Sequence, residues 1–295
     1  MSDTIVRGNS IDGSIRVFAG ITTDLVERAR EIHNCYPVAA AALGRTLTIA
    51  SMMGATLKSE TDAITIQFNG DGPLGTIVVT ANSKSQVRGY VENPYVELPL
   101  NKKGKIDVGG GVGKGTLGII RDLGLKEPYI GQVPIVTGEI GEDLTYYYAT
   151  SEQVPTAIGL GVLVDTDGSI ICAGGFMLQL MPEATEDTAE KLEKIVRSLP
   201  PVTTMIQDGL TAEDILFKVT DGFDMLMENK PIKPEYYCDC SKERMERALI
   251  SIGRKELTSL IDEQGNAELT CQFCDNKYNF SKDELTELLN KATRD

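Results

Sequence analysis

The chain has 295 residues, 41% of them hydrophobic and 24% charged, with a formal net charge of −14. That length exceeds one average domain, and the apolar share supplies a sizeable core. The charge argues against a nucleic-acid binder, which needs clustered Lys and Arg for phosphates, and the absence of Trp leaves few platforms for stacking bases.

Taken in order, the opening Met1-Ser2-Asp3-Thr4 is polar and lacks the apolar run of a secretory leader. A cytoplasmic location follows as an expectation, and a reducing cytosol disfavours standing disulfides. Residues 14–21 alternate enough to form a strand. Residues 23–33 read as a helix, with Thr22 or Thr23 as cap and Asp24 and Glu27 in its first turns. Cys35-Tyr36-Pro37 breaks it, and Pro37 opens a second helix to about Leu57. Its small side chains predict close packing against a sheet or another helix. Residues 39–55 form one of the longest apolar stretches, but Arg45, Thr46 and Ser51 interrupt it and it does not reach the roughly eighteen residues of a membrane span.

From Ala63 to Val136 the pattern changes to short strands and turns, at 64–68, 74–80, 86–91 and 130–136. The glycine-rich stretch 109–118 invites a phosphate-binding reading. It fails a P-loop, because Val108 and Gly115 stand where Gly and Ser or Thr are needed. Gly113, Gly115 and Gly118 match the dinucleotide fingerprint, but a strand rather than a helix follows. A flexible hairpin loop is the expectation. Residues 139–153 read as helical, and Tyr146 to Tyr148 as packing residues. Residues 158–164 and 169–180 form a hairpin. Without regular βαβ alternation, the fold class is α+β with a mainly antiparallel sheet and packed helices.

After Leu180 the composition turns to Glu and Lys. Residues 186–199 make an amphipathic helix with Ala189, Leu192, Ile195 and Val196 on one face. Pro200-Pro201 stops it, and Thr211 caps a short helix to Lys218. Pro231 and Pro234 mark a boundary. The expected organisation is an N-terminal core domain over 1–178, a helical linker over 179–232 and a small C-terminal domain over 233–295. In the last, Ser241 caps a helix to about Ile252, residues 255–263 form another, and Ser281 with Glu284 is a capping box before the final helix.

That last segment holds Cys238-Asp239-Cys240, thirty intervening residues, then Cys271-Gln272-Phe273-Cys274. Zinc favours four tetrahedral ligands, and four thiolates close the shell, leaving no position for an activated water. The expected metal ligands are therefore Cys238, Cys240, Cys271 and Cys274, holding one zinc per chain when reduced. Thiolate is also the form that oxidants attack, so the same sulfurs can serve as a redox trigger. A disulfide across Cys-x-Cys closes a small ring, which predicts an oxidising, reversible bond. Two rival readings of the cysteines stay open. One is a purely structural zinc-ribbon adaptor; its segment carries 10 basic and 13 acidic residues and so lacks a nucleic-acid footprint. The other is a thiol-disulfide oxidoreductase using Cys271 and Cys274, though no βαβ unit surrounds them. His33, the single histidine, is expected at a surface or helix end; Cys35 and Cys172 are expected as packed thiols.

The cysteine pattern with its flanks, Tyr237 to Ser241 and Cys271 to Phe280, resembles the zinc redox switch of the 33 kDa redox-regulated heat-shock chaperonin family. Stretches 122–129 and 138–153 are similar as well, so the resemblance covers essentially the whole chain. It implies a non-enzymatic, ATP-independent holdase for unfolding proteins under oxidative and heat stress. It implies a reduced, zinc-bound inactive form, and activation by conversion of the four thiols to disulfides Cys238–Cys240 and Cys271–Cys274 with zinc release. Linker unfolding and an oxidised homodimer are implied too. The implied partners are unfolded client proteins, with no nucleic acid and no membrane.

Overall fold

In the computed structural model, which describes residues 2–292, the chain opens with a hairpin of β1 (Thr4–Ser10) and β2 (Ile15–Ile21). Asp12 fixes its turn by accepting from the Ser14 N–H and from the Ser10 and Ser14 hydroxyls. Helix α1 (Thr23–His33) follows. Thr22 holds the cap position, but its hydroxyl bonds Thr48 instead. The carboxylate of Asp3 accepts from the N–H groups of Asp24 and Leu25, so a residue far back in the sequence satisfies the helix end.

Helix α2 (Pro37–Gly54) is buried at every residue but Pro37 and Arg45. Pro37 suits the first turn, where its missing N–H costs nothing. The interior hydroxyls of Thr46, Thr48 and Ser51 are satisfied within the helix, each bonding a carbonyl three or four residues back. The helix ends at Gly54 rather than Leu57. There it runs against the Asn82 carbonyl, which a Cβ on Gly54 would meet at 2.5 Å.

Strands β3 (Ala63–Gly70), β4 (Thr76–Asn82) and β5 (Gln86–Val91) form a meander. A helical turn α3 (Val108–Val112) precedes β6 (Gly115–Asp122) and β7 (Tyr129–Pro134). The glycine-rich stretch is therefore not a flexible hairpin loop. Its backbone packs on the β3–β4 turn: Gly72 and Leu74 donate to the carbonyls of Val112 and Gly111. A Cβ on Gly70 would lie 1.8 Å from the Val112 carbonyl, so the glycines serve close approach of two backbones.

Helix α4 (Gly141–Tyr147), continued by a π-turn at Tyr148–Glu152, leads to β8 (Thr156–Val164) and β9 (Ile170–Leu180). Then come α5 (Glu186–Ser198), α6 (Val202–Gln207), α7 (Ala212–Val219), β10 (Met225–Met227) and β11 (Glu235–Tyr236). Two sheets result, ordered β10-β1-β2-β9-β8 and β11-β5-β4-β3-β6-β7. Every named pairing is antiparallel except β11 with β5. Helix α2 joins one core with residues of both sheets, among them Phe18 and Met177 from the first and Ile66 and Phe68 from the second. The opposite face of the first sheet carries a second core. There Val17, Phe176 and Leu178 pack with Leu192, Met205, Ile215 and Leu216 of α5 to α7. The segment expected as a linker thus lies on a sheet face as part of the unit Met1–Tyr237.

The second unit, Cys238–Asp295, contains α8 (Lys242–Ser251), α9 (Arg254–Glu263), the hairpin of β12 (Asn266–Thr270) and β13 (Lys277–Ser281), and α10 (Lys282–Lys291). Ser241 accepts from the Arg244 N–H, and Ser281 with Glu284 forms the capping box. The core is small: Leu249, Leu257, Ile261, Ala267, Phe280, Leu285, Leu288 and Ala292. The mixed α+β class agrees with the sequence reading. Strand β1, helix α6 and the β12–β13 hairpin add to the elements expected from the sequence. No helix among the described residues is long and apolar enough to cross a membrane.

Candidate metal centre

Cys238 and Cys240 lie between β11 and α8, just before the Ser241 cap. Arg244 in the first turn of α8 reaches back to Asp239 at 2.5 Å, which steadies the residue between the two thiols. Cys271 and Cys274 sit at the end of the β12–β13 hairpin. Register there runs from Asn266 opposite Ser281 to Thr270 opposite Lys277. The turn closes through Cys271 N–H to the Asn276 carbonyl, and through the N–H groups of Cys274 and Asp275 to the Cys271 carbonyl. Asp275 takes the left-handed conformation this tight turn requires, with φ 58°.

These elements bring all four sulfurs within 4.8 Å of one another. The Cys238–Cys271 separation is 3.8 Å and the Cys240–Cys274 separation is 3.3 Å. A tetrahedron with metal–sulfur bonds of about 2.3 Å has edges of about 3.8 Å. The spacing is therefore close enough to hold a metal ion, and the all-thiol donor set suits a soft or borderline one.

Charge makes the same point. Two thiolates about 4 Å apart repel by roughly 4 kcal/mol at the effective dielectric of a protein surface, so four of them need a cation. Without one the sulfurs split. Burial raises the Cys240 thiol, but the Tyr278 hydroxyl and the neighbouring thiols donate to it and bring it down to about 7. Burial pushes Cys271 and Cys274 up.

The Tyr278 hydroxyl lies 3.1 Å from the Cys240 sulfur, and the Asn276 side-chain amide lies 3.9 Å from it. Neither contact was legible beforehand, because the strand that aims Tyr278 was not. Cys271-Gln272-Phe273-Cys274 occupies a hairpin turn rather than the start of a helix, which removes the helix N-terminus that activates an oxidoreductase thiol.

The remaining singled-out residues lie elsewhere. His33 ends α1 as expected but is buried rather than on the surface; its Nε2 meets the Tyr236 hydroxyl at 3.1 Å. Cys35 and Cys172 are buried thiols. Tyr147 and Tyr148 are core residues, and Tyr146 is exposed.

A family profile described as "Hsp33 protein" matches residues 3–281. The chain belongs to the Hsp33 family. Among its relatives, the 33 kDa chaperonin of Clostridium beijerinckii is 52% identical over 293 residues, covering 99% of this chain and 100% of the relative. That of Desulforamulus reducens is 50% identical over 292 residues, covering 99% and 98%. The crystal structure of a 33 kDa chaperonin from Thermotoga maritima superposes with a TM-score of 0.91 at 39% identity, covering 99% of each chain. Membership of the Hsp33 family supports a chaperone function with unfolded proteins as clients, and these relatives are named as chaperonins rather than enzymes.

Proposed function

We propose that this chain is an ATP-independent holdase whose client binding is switched on by oxidation of Cys238, Cys240, Cys271 and Cys274. The observation that supports this most is the cluster of four sulfurs within 4.8 Å in a chain of a chaperone family. In the reduced form those four residues hold one zinc ion as thiolates. Bound there, the ion would supply a structural cross-link between the two cysteine pairs rather than a site for an activated water.

That cross-link outweighs the rest of the unit's stability. Structural zinc is worth about 10–16 kcal/mol, against roughly 5–15 kcal/mol for a whole domain. The core of Cys238–Asp295 is too small to rely on by itself. Oxidation removes the ligands. In each disulfide two thiolates give up two electrons, and peroxide takes them with two protons from solvent to become two waters. Hypochlorite is a second two-electron oxidant of the same class. The pairs Cys238–Cys240 and Cys271–Cys274 are proposed from the family resemblance, whereas in the reduced cluster sulfur contacts of 3.8 and 3.3 Å run between the two motifs.

Once paired, the sulfurs are no longer thiolate ligands, and the unit they staple unfolds. The segment 179–232 then loosens from its sheet. Leu192, Ile195 and Val196 of α5 leave the face formed by Val17, Phe176 and Leu178, and both surfaces become available to non-native chains. Oxidised chains associate as homodimers, and the protein acts in the cytoplasm under oxidative and heat stress. The test is light scattering from a heat-denatured client without ATP. Suppression by the oxidised protein and none by the reduced, zinc-loaded protein is the expected result; equal behaviour of both overturns the switch.

A further inference from the structure

Sheet edges are sites of unwanted pairing, and folded chains blunt them by shortness, proline or charge. Of the four edges of the two larger sheets, three are blunted. β10 has three residues, β11 has two beside Pro234, and β7 ends in Pro134. The fourth, β8, runs nine residues as Thr-Ala-Ile-Gly-Leu-Gly-Val-Leu-Val, with no charge and no proline.

The register shows which of its backbone groups are left over. The Leu180 N–H donates to the Pro155 carbonyl, which makes 155 and 180 a hydrogen-bonded pair. Counting by twos, Ala157, Gly159 and Gly161 bond to β9 opposite Leu178, Phe176 and Gly174. The N–H and C=O groups of Ile158, Leu160 and Val162 therefore point away from β9. Among the described residues, nothing hydrogen-bonds them.

That edge borders a groove of about 570 Å³, which runs along residues 158–164. Apolar side chains form its walls, among them Leu100 and Ile106, while Val196 and Leu199 cover it from the segment that loosens on oxidation. Its two charged lining residues are Arg45 and Lys105. Glu139 neutralises Arg45 at 2.6 Å, while Lys105 makes no ion pair among the described residues. The groove is thus locally positive in a chain of net charge −14.

We infer that β8 is a docking edge for an extended segment of a non-native client, which adds a strand beside Ile158 to Val162. The segment is apolar at alternate positions and carries a carboxylate where it passes Lys105. Main-chain pairing supplies affinity for any sequence, and the apolar walls with Lys105 supply preference. This rests on the holdase reading above and adds to it the site and the geometry of capture.

The experiment uses the full chain, reduced and oxidised, with fluorescent seven-residue peptides of alternating Val and Thr. One carries a central Glu, one a central Lys, and one is the Glu peptide N-methylated at alternate residues. The expected result is at least tenfold weaker binding of the N-methylated peptide, and slowed amide exchange on binding at Ile158, Leu160 and Val162. Lys105→Glu reverses the preference for Glu over Lys. Equal binding of the N-methylated peptide, or protection confined to other residues, overturns the proposal. Protection of the same three amides by self-association, seen as a concentration-dependent dimer without peptide, also overturns it and makes a second copy the occupant. A client-aggregation assay on the same oxidised sample keeps the two claims apart. Aggregation suppressed without edge pairing sinks only this proposal; aggregation not suppressed sinks the holdase reading.

Discussion

The Tyr278 hydroxyl donates to the Cys240 sulfur across 3.1 Å, from a strand that begins three residues after the last cysteine. A donor placed there stabilises negative charge on the sulfur, and partners of this kind are commonly worth 10- to 100-fold in metal affinity. Tyr278→Phe keeps the ring and removes the donor. We expect zinc affinity to fall about tenfold, measured by competition with a chromogenic chelator. Unchanged affinity would reduce Tyr278 to a packing residue.

The disulfide map separates resemblance from proximity. Oxidised protein, digested without reduction, is expected to yield Cys238–Cys240 and Cys271–Cys274 as the major pairs in mass spectrometry. Cross-links Cys238–Cys271 and Cys240–Cys274 as the major species would show that the reduced-state contacts of 3.8 and 3.3 Å between the motifs decide the chemistry instead.

Leu192 is the one fully buried residue of α5. Its truncation to Ala leaves a cavity between the helix and the sheet, at a cost of about 2–5 kcal/mol if the site cannot collapse. Reduced, zinc-loaded Leu192→Ala is expected to be cut faster by protease within 179–232, and to suppress client aggregation partly without any oxidant. A variant as silent and as resistant as the parent would detach the linker from the switch.

Asp3 gives the pH dependence of the first unit. Burial raises its carboxyl from 3.8 to about 6, and this outweighs the N–H groups of Leu25 and Asp24, which pull the other way. The folded form thus holds a proton that the unfolded chain has lost. Its contribution to stability is fully present below about pH 4 and is lost as pH rises through about 6. Asp3→Asn fixes the neutral form, so it should gain on the parent between pH 4 and pH 7 in urea unfolding. A constant difference between the two proteins across that range would contradict the assignment.

Much of this was legible in the chain. The bounds of α1 and the caps Ser241 and Ser281 follow from local signals that the structure repeats. What escaped notice depended on distant partners. β1 lacks clean alternation and exists because β2 and β10 pair with it. The helix cap from Asp3 lies some twenty residues from the N–H groups it serves. The β12–β13 hairpin hides in a polar stretch whose few apolar residues, such as Ala267 and Phe280, meet only in the folded unit. The glycine stretch misled because glycine allows both flexibility and close contact, and only Gly70 and Gly72 across from it decide between them. The four cysteines needed no distant information to suggest a metal; their angular arrangement and the Tyr278 contact did.

The most direct test of the central claim follows metal and activity in one sample. Reduced protein is treated with peroxide at elevated temperature, and zinc release and client light scattering are read at the same time points. The account predicts about one zinc released per chain, with aggregation suppressed in step with that release. Zinc that stays bound while suppression develops, or complete release with no suppression, would contradict it.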